Sequence, residues 1–205
     1  MCKRVMFLAS LVAVLSLAVT AQAEMLTANR GFELGNMTDW LQYGGGSGGS
    51  NITAVISDGT AYEGGYYIQI GRAPGDTGWG FNVAWQGEAT IIPASSLTGY
   101  HFQGQVRSTD TGAEALLKLE CFDAANGKIG EERIDFPVVP DGTWQLIQAD
   151  YVSFNGTKQV RAVIGVAFDP PRTSCVIDYD DLSLTPEPAT LALLGLGGLF
   201  FRRRK

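Results

Sequence analysis

The chain has 205 residues, of which 45% are hydrophobic and 18% are charged, and its formal net charge is −6. This length allows one domain with a sizeable core. The acidic balance argues against nucleic acid and against anionic membrane surfaces as partners, because both would repel the chain.

The first 23 residues have the pattern of a secretory signal peptide. Lys3 and Arg4 precede an apolar run over residues 5–19, the arrangement of a signal helix. Ala21-Gln22-Ala23 then places small residues at the two positions that signal peptidase reads. We therefore predict export through the Sec machinery, with cleavage by signal peptidase after Ala23.

Residues 24–185 form the predicted folded domain. They contain nine Lys and Arg residues and twenty Asp and Glu residues, so the formal charge of this region is −11. Such a surface suits neutral glycans or divalent cations as ligands. Solubility outside the cell is an alternative reason for the same charge.

This region has the alternation of an all-β protein. Short runs of β-branched and aromatic residues are separated by turn sequences such as Asp58-Gly59 and Asn126-Gly127. Alternating apolar and polar side chains indicate sheets with one solvent-facing side. We expect a two-sheet antiparallel jelly-roll sandwich. Its nine predicted strands cover residues 52–57, 66–70, 80–85, 100–107, 115–122, 129–136, 143–154, 159–168 and 175–184.

Two further stretches bear on the organisation of the domain. Residues 44–50 read GGGSGGS and predict a flexible surface loop. Cys121 and Cys175 are the candidates for a disulfide in an oxidising compartment. A bridge requires Cα atoms about 5.5 Å apart, and the sequence leaves both the bridged and the unbridged state open.

Several segments together resemble the carbohydrate-binding modules with a galactose-binding-like jelly-roll fold. Each is a short motif, and their order along the chain matches that family. They are Asn29-Arg30-Gly31-Phe32-Glu33 followed by Trp40, the turn at 61–67, the strand beginning Gly99-Tyr100-His101-Phe102, Thr143-Trp144-Gln145, and the closing strand over 177–184. The resemblance implies a polysaccharide ligand.

The same resemblance implies a structural calcium ion. In that family the Glu of the Gly-Phe-Glu motif and an Asp of the closing strand hold the metal, which corresponds to Glu33 and Asp180, with Asp181 as the neighbouring alternative. Oxygens of the turn that starts at Asp58 would complete the shell. Independently, Ca²⁺ takes six to eight hard oxygen ligands, which carboxylates and peptide carbonyls supply. The alternative is that these acids are ordinary solvated carboxylates.

Sugar binding requires exposed aromatic rings with polar neighbours. The candidates are Trp79, Trp85, Tyr43 and Tyr62, and Trp79 stands between two glycines. Some of the four tryptophans must fill the core instead, and we expect Trp40 and Trp144 there.

Catalytic arrangements find little support. His101 is the only histidine, no Gly-x-Ser-x-Gly occurs, and Glu131-Glu132-Arg133-Ile134-Asp135 lacks the spacing of a sandwich-fold glycanase strand. We therefore expect a non-catalytic protein, with a small glycanase as the weaker alternative.

The last twenty residues form a separate unit. Pro186-Glu187-Pro188 breaks secondary structure, residues 189–201 are apolar and predict a helix, and residues 202–205 are Arg-Arg-Arg-Lys. Thirteen residues of helix span roughly 20 Å, which is short of the ~30 Å hydrocarbon core. A buried C-terminal helix is the alternative.

This order resembles the PEP-CTERM sorting signal of exported bacterial proteins. The resemblance implies processing by an exosortase near Pro186, Glu187 and Pro188, after transient anchoring in the membrane. We therefore expect a cell-surface or extracellular protein that binds polysaccharide. The alternative is a structural protein of the exopolysaccharide matrix without sugar specificity.

Overall fold

The computed structural model describes residues 24–26, 29–46, 51–72, 80–86, 92–168 and 175–187. Within these residues all regular structure is β, and none of them lies in a helix that could cross a membrane. The strands are β1 (Trp40–Gly46), β2 (Asn51–Ile56), β3 (Tyr67–Arg72), β4 (Gly80–Gln86), β5 (Ile92–Pro93), β6 (Gly99–Arg107), β7 (Glu114–Phe122), β8 (Lys128–Pro137), β9 (Gln145–Val152), β10 (Gln159–Phe168) and β11 (Val176–Pro186).

The strands form two antiparallel sheets. One has the order β1-β4-β10-β7-β8, with the short β5 also paired to β10, and the other has the order β2-β3-β11-β6-β9. Strands that are distant in sequence therefore lie side by side in both sheets, as in a jelly roll. The predicted all-β, two-sheet sandwich is confirmed, while its two flanking helices fall outside the described residues.

Each of the nine predicted strands corresponds to an observed one, and the sequence missed β1 and β5. The prediction of a loop at 44–50 is wrong for its first three residues. Gly44, Gly45 and Gly46 continue β1 and pair with Asn82, Phe81 and Gly80 of β4. These glycines have no side chains to pack, so the backbone hydrogen bonds to β4 hold them in the strand.

The core lies between the sheets and follows the period of two. In β10, Val160, Ala162, Ile164 and Val166 face the core, and all four are buried. The residues between them face the opposite side of the six-stranded sheet, because successive side chains of a strand point to opposite faces. Among the described residues, the main core cluster extends from Leu26 to Leu184.

Gly165 in β10 is a position where only glycine fits. Its φ is +154°, and an added Cβ would lie 2.3 Å from the carbonyl oxygen of Asn82 and 2.7 Å from the Cα of Val83. Both atoms belong to the backbone of β4, so they cannot move without disturbing the ladder. Gly165 therefore fixes the close approach of β10 to β4.

Gly165→Ala is expected to lower the free energy of unfolding by about 2 to 4 kcal/mol, because it adds overpacking to backbone strain. Chemical denaturation of the exported protein measures this change. Gly65→Ala is the matched control: the nearest atom to its added Cβ is 4.0 Å away. A loss for Gly165→Ala no larger than for Gly65→Ala would contradict the assignment.

The boundaries of the domain meet at one end of the sandwich. The backbone N–H of Met25 donates to the carbonyl of Leu184 at 2.8 Å, so residues 24–26 lie beside the end of β11. Pro186 pairs with Tyr100 in the ladder, and the N–H of Glu187 donates to the carbonyl of Gly99 at 2.8 Å. The folded domain therefore includes the first two residues of the Pro-Glu-Pro sequence.

Candidate functional site

A groove lies on the outer face of the six-stranded sheet, across β1, β4, β10, β7 and β8. Its volume is about 410 Å³. The cross-strand register places Trp85, Val163, Lys118 and Arg133 in one row across four strands, and Arg161, Glu120 and Glu131 in the next row. One side of the groove is therefore aromatic and the other side is charged.

Three aromatic rings form the first side. Tyr43 is 58% exposed, and its ring centroid lies 5.5 Å from that of Phe81 and 5.8 Å from that of the partly buried Trp85. The guanidinium carbon of Arg161 lies 5.4 Å from the centroid of the Trp85 ring. A rigid aromatic surface beside hydrogen-bond donors is the arrangement that binds the apolar face and the hydroxyl groups of a sugar.

The floor of the groove is apolar. Val83, Leu116 and Val163 form a second buried cluster on this outer face, separate from the main core, and Phe81 and Trp85 pack against it. Gly165 pairs with both Val83 and Leu116 and adds no side chain between them. The absence of that side chain leaves a depression between the aromatic and the charged sides.

Glu120 is the centre of the charged side. Its carboxylate, whose side chain is 7% exposed, lies 2.9 Å from Lys118 Nζ, 3.0 Å from Lys128 Nζ and 2.5 Å from Arg161 Nη2. Burial alone would raise the pKa of Glu120, but the three cations outweigh it and lower that pKa to about 2. Glu131 also bonds Lys128, which lowers the pKa of Glu131.

The folded-state pKa of Glu120 lies below its ordinary value of 4.5, so its ion pairs stabilise the fold above pH 4.5. That stabilisation, at most about 3 kcal/mol, is lost as the pH falls from 4.5 towards about 2. Glu120→Gln is expected to flatten the fall in unfolding free energy over this range and to lower stability at neutral pH. Denaturant unfolding at several pH values measures both effects.

Glu132→Gln is the control for this titration, since the Glu132 side chain is exposed. It is expected to retain the acid dependence of the unsubstituted protein. The same slope below pH 4.5 in Glu120→Gln would contradict the role of Glu120 as the acceptor of three cations.

A second aromatic cluster lies on the five-stranded sheet. The guanidinium of Arg107 stacks 4.7 Å from the ring centroid of Tyr67 and 4.5 Å from that of Trp144, and its Nε donates to Asp178 at 2.9 Å. Tyr62, which is 51% exposed, contacts the edge of Trp144. Trp144 is thus only partly buried and was wrongly expected in the core, whereas Trp40 is buried there.

The four candidate sugar-binding aromatics therefore separate. Tyr43 and Trp85 come together in the groove, Tyr62 belongs to the Arg107 cluster on the other sheet, and Trp79 falls outside the described residues. The signal for Tyr43 and Trp85 was their aromatic character in a polar context. Their meeting depends on the pairing of β1 with β4, and β1 was not predicted.

Glu33 and Asp180 meet at one turn, formed by residues 62–66. Glu33 accepts hydrogen bonds from the N–H groups of Gly65 and Tyr66, and the fully buried Asp180 accepts from Tyr62 at 2.8 Å and Glu63 at 3.0 Å. Burial raises the pKa of Asp180, these N–H bonds oppose the rise, and the charge of Glu33 adds to it. Both carboxylates line a cavity of about 640 Å³.

The other two candidate calcium ligands have different surroundings. Asp58 bonds Thr60 and the hydroxyl of Tyr67, and Asp181 lies 3.9 Å from Arg30. Among the described residues, no group of three or more His, Cys, Asp and Glu side chains is arranged to hold a metal. The donor set fits calcium in part: Glu33 and Asp180 supply hard oxygens, and the remaining ligands would have to be peptide carbonyls.

Cys121 and Cys175 do not form the candidate disulfide. Cys121 lies near Tyr100, which pairs with Pro186 at the end of β11, whereas Cys175 precedes the first residue of that strand. The eleven residues of β11 separate the two ends by roughly 35 Å at ~3.3 Å per residue.

Among the predicted processing residues, Pro186 and Glu187 end the sandwich, while Ala23 and Pro188 lie outside the described residues.

The charged side of the groove was not among the predicted sites. Lys118, Glu120, Arg161 and Phe81 lie within predicted strands, and none of them was a candidate site residue. The alternation in β7 and β10 was a usable signal, since it places Lys118, Glu120 and Arg161 on one face once those strands are paired. The pairing itself joins residues about 40 positions apart.

The sorting signal predicted from the tail is confirmed. Residues 184–205 match the PEP-CTERM protein-sorting motif. This motif marks the chain as an exported protein with a C-terminal sorting signal. A comparison with curated proteins found no matching sequence.

Several solved structures share the fold. The CBM22-1 xylan-binding domain of Paenibacillus barcinonensis Xyn10C has a TM-score of 0.52 and 16% identity, over 81% of this chain and 96% of that one. A structure described among the promiscuous carbohydrate-binding modules of the β-sandwich superfamily has a TM-score of 0.53 and 12% identity, over 80% of this chain and 63% of that one.

Enzyme chains also contain this fold. The enzymatically active domain of tailspike protein 4 from bacteriophage CBA120 has a TM-score of 0.58 and 10% identity, over 78% of this chain. This chain spans only 21% of the tailspike chain. The likenesses define the fold class: the chain has the jelly-roll sandwich of carbohydrate-binding modules, followed by a PEP-CTERM sorting signal.

Proposed function

We propose that this is an exported, non-catalytic protein that binds polysaccharide in the groove of its six-stranded sheet. The observation that carries the proposal is the aromatic side of the groove, where Tyr43 and Trp85 lie beside the donors of Arg161 and Lys118. Sugar rings stack on such aromatic faces, and donors beside them bind the hydroxyl groups. The carbohydrate-binding modules of the same fold support this assignment.

The carboxylates of the groove favour binding over hydrolysis. A glycosidase needs one carboxyl group with a raised pKa as general acid, next to a second carboxylate. In this groove the pKa values of Glu120 and Glu131 are both lowered by neighbouring cations, so both are ionised at neutral pH. A reducing-sugar assay on any bound polysaccharide tests this point, and release of sugar would favour the glycanase.

The sorting signal supports a binding event outside the cytoplasm. In this proposal the Sec machinery exports the chain, signal peptidase cuts after Ala23, and an exosortase-type enzyme processes the tail beyond Glu187. Both domain boundaries lie at one end of the sandwich, so the chain enters and leaves the domain there. The destination is the cell surface or the extracellular matrix.

Affinity electrophoresis of the exported protein in gels containing single polysaccharides tests the binding function. Retardation by at least one polysaccharide, lost on Trp85→Ala, is the expected result. No retardation in any gel would favour the second candidate, a matrix protein without sugar specificity. The placement of Arg161 over Trp85 is the observation that favours this alternative, because it covers part of the ring.

Calcium in this proposal has a structural role. Glu33 and Asp180 would hold it, and the ion would neutralise two carboxylates that converge on the 62–66 turn. Chelation is expected to lower the melting temperature by roughly 5 to 10 °C, as when a ligand present at ~100 times its dissociation constant is removed. Thermal unfolding with and without chelator measures the change.

Two substitutions control the calcium prediction. Glu33→Gln is expected to remove the effect of chelator, and Asp58→Asn is expected to retain it, because Asp58 bonds a different part of the sheet. Identical melting curves with and without chelator, together with no metal on elemental analysis, would reject the calcium site.

A further inference from the structure

We propose that the polysaccharide bound in the groove is anionic and carries carboxylate groups, as a polyuronate does. This inference rests on the proposed binding function and specifies its ligand. Its starting point is the distribution of charge. The acidity of the whole domain suggests a neutral glycan, but the charges that line the groove have the opposite sign.

Cations are concentrated in the groove. Among the described residues between 24 and 185, four of the eight Lys and Arg residues line it, whereas only two of the seventeen Asp and Glu residues do. The formal charge of the lining is +2, against −11 for the other described residues of this range. Counting Asp135, which pairs with Arg133, still leaves the groove at +1. The four cations are Lys118, Lys128, Arg133 and Arg161.

The two carboxylates do not use up these cations. Lys118, Lys128 and Arg161 share the single carboxylate of Glu120, whose side chain is only 7% exposed. The side chains of Lys128 and Arg133 remain 42% and 40% exposed at the rim of the groove. The Glu131 carboxylate beside them is 43% exposed, so a ligand carboxylate depends on the excess of cations over carboxylates in the lining. Lys and Arg bind carboxylates by charge-assisted hydrogen bonds.

The spacing of the aromatic and cationic side chains suits a polysaccharide whose sugar rings carry carboxylate groups. Lys118 is two strands away from Trp85 in the same row, so their backbones are about 10 Å apart, and Arg133 is one strand further. A sugar stacked on Trp85 and Tyr43 thus has cations beside it along the direction across the strands. A neutral glycan would use the aromatic side and the hydrogen-bond donors, but it would gain nothing from the net positive charge of the lining.

The strong negative charge of the rest of the domain sharpens the requirement. A polyanion is repelled by the domain at long range, so its binding depends on the local cations of the groove and weakens as salt screens them. A neutral polysaccharide would show little dependence on salt. The dependence of binding on salt concentration therefore distinguishes an anionic ligand from a neutral one, as substitutions of the cations also do.

The test uses the exported protein with sodium polygalacturonate and with the fully methyl-esterified form of the same polymer. The ester keeps the backbone and removes the charge, so it is a matched neutral ligand. We expect binding to polygalacturonate only, with a loss of about tenfold or more between 50 and 200 mM NaCl. Dextran sulfate, offered in parallel, separates a carboxylate site from attraction to any polyanion.

Substitutions locate the charge. Lys128→Gln combined with Arg133→Gln is expected to weaken binding roughly tenfold, while Lys158→Gln, an exposed cation outside the groove, leaves it unchanged. Melting temperatures show that the variants fold. Equal weakening by Lys158→Gln, or tighter binding to dextran sulfate, would overturn the inference in favour of non-specific attraction.

The remaining outcomes separate the two proposals. Binding of the methyl ester as tight as that of polygalacturonate, abolished by Trp85→Ala, would overturn the anionic ligand and keep the groove as a polysaccharide site. If polygalacturonate, its methyl ester, xylan and galactan all failed to bind, both proposals would be overturned.

Discussion

Trp85→Ala is expected to abolish measurable polysaccharide binding while the domain stays folded. Trp85 contacts Tyr43 and, like Phe81, packs on the apolar floor of the groove, so its removal takes away the largest ring of the stacking surface and part of the support of Tyr43. Aromatic anchors of this kind contribute about 2 kcal/mol or more, which corresponds to a loss of roughly thirtyfold in affinity. Isothermal titration of the exported protein with the polysaccharide that it binds measures the loss.

The design of this test depends on two matched variants. Trp85→Phe keeps an aromatic face and is expected to retain most of the affinity. Tyr62→Ala removes an exposed ring on the other sheet and is expected to leave binding unchanged. If Tyr62→Ala abolished binding and Trp85→Ala did not, the site would have to be moved to the Arg107 cluster.

The fold was largely predictable because its strands carry their own pattern. In β7 and β10, apolar and polar residues alternate along the strand, and the turns between strands contain Asx-Gly pairs. The two missed strands lack this pattern. β1 ends in three glycines, which have no side chains to alternate, and β5 has only two residues. Both are strands because a neighbour offers a hydrogen-bonding edge, which is a tertiary effect.

The site was less predictable, for a related reason. Tyr43 and Trp85 were selected by residue type, and the structure does bring them together. The charged side was missed, since its geometry depends on a register that joins Glu120 to Arg161 and to Glu131. The net charge of −11 for residues 24–185 also gave no sign of the local excess of cations in the groove. That excess appears only when four strands are placed side by side.

The sorting signal and the sandwich are joined without a spacer. β11 carries Asp180 in its middle, and the same strand runs on to Pro186, whose successor Glu187 still bonds Gly99. An enzyme that processes the tail near the Pro-Glu-Pro sequence would therefore meet the end of a paired strand in the interior of its sheet.

Asp180 is a buried hydrogen-bond acceptor in the middle of β11. Its carboxylate accepts hydrogen bonds from the N–H groups of Tyr62, Glu63 and Asp181, and its side chain is fully buried. Asp180→Ala leaves these donors without their acceptor. We expect it to lower the free energy of unfolding by about 3 to 5 kcal/mol and the melting temperature by roughly 10 °C.

Asp181→Asn is the matched control, because it lies next to Asp180, has a partly exposed side chain and tolerates the positive φ of 44° at that position. It is expected to change stability by less than about 0.5 kcal/mol. A loss for Asp180→Ala no greater than that of Asp181→Asn would contradict the structural role of Asp180.

Repeating the Asp180→Ala measurement in chelator separates its two roles. If Asp180 serves only as the acceptor of the 62–66 turn, the substitution costs the same with calcium as without it. If it also binds calcium, the cost is larger by the stabilisation that calcium gives to the unsubstituted protein, because the variant no longer gains from the ion. The loss of unfolding free energy in calcium minus the loss in chelator is the coupling free energy between Asp180 and the ion.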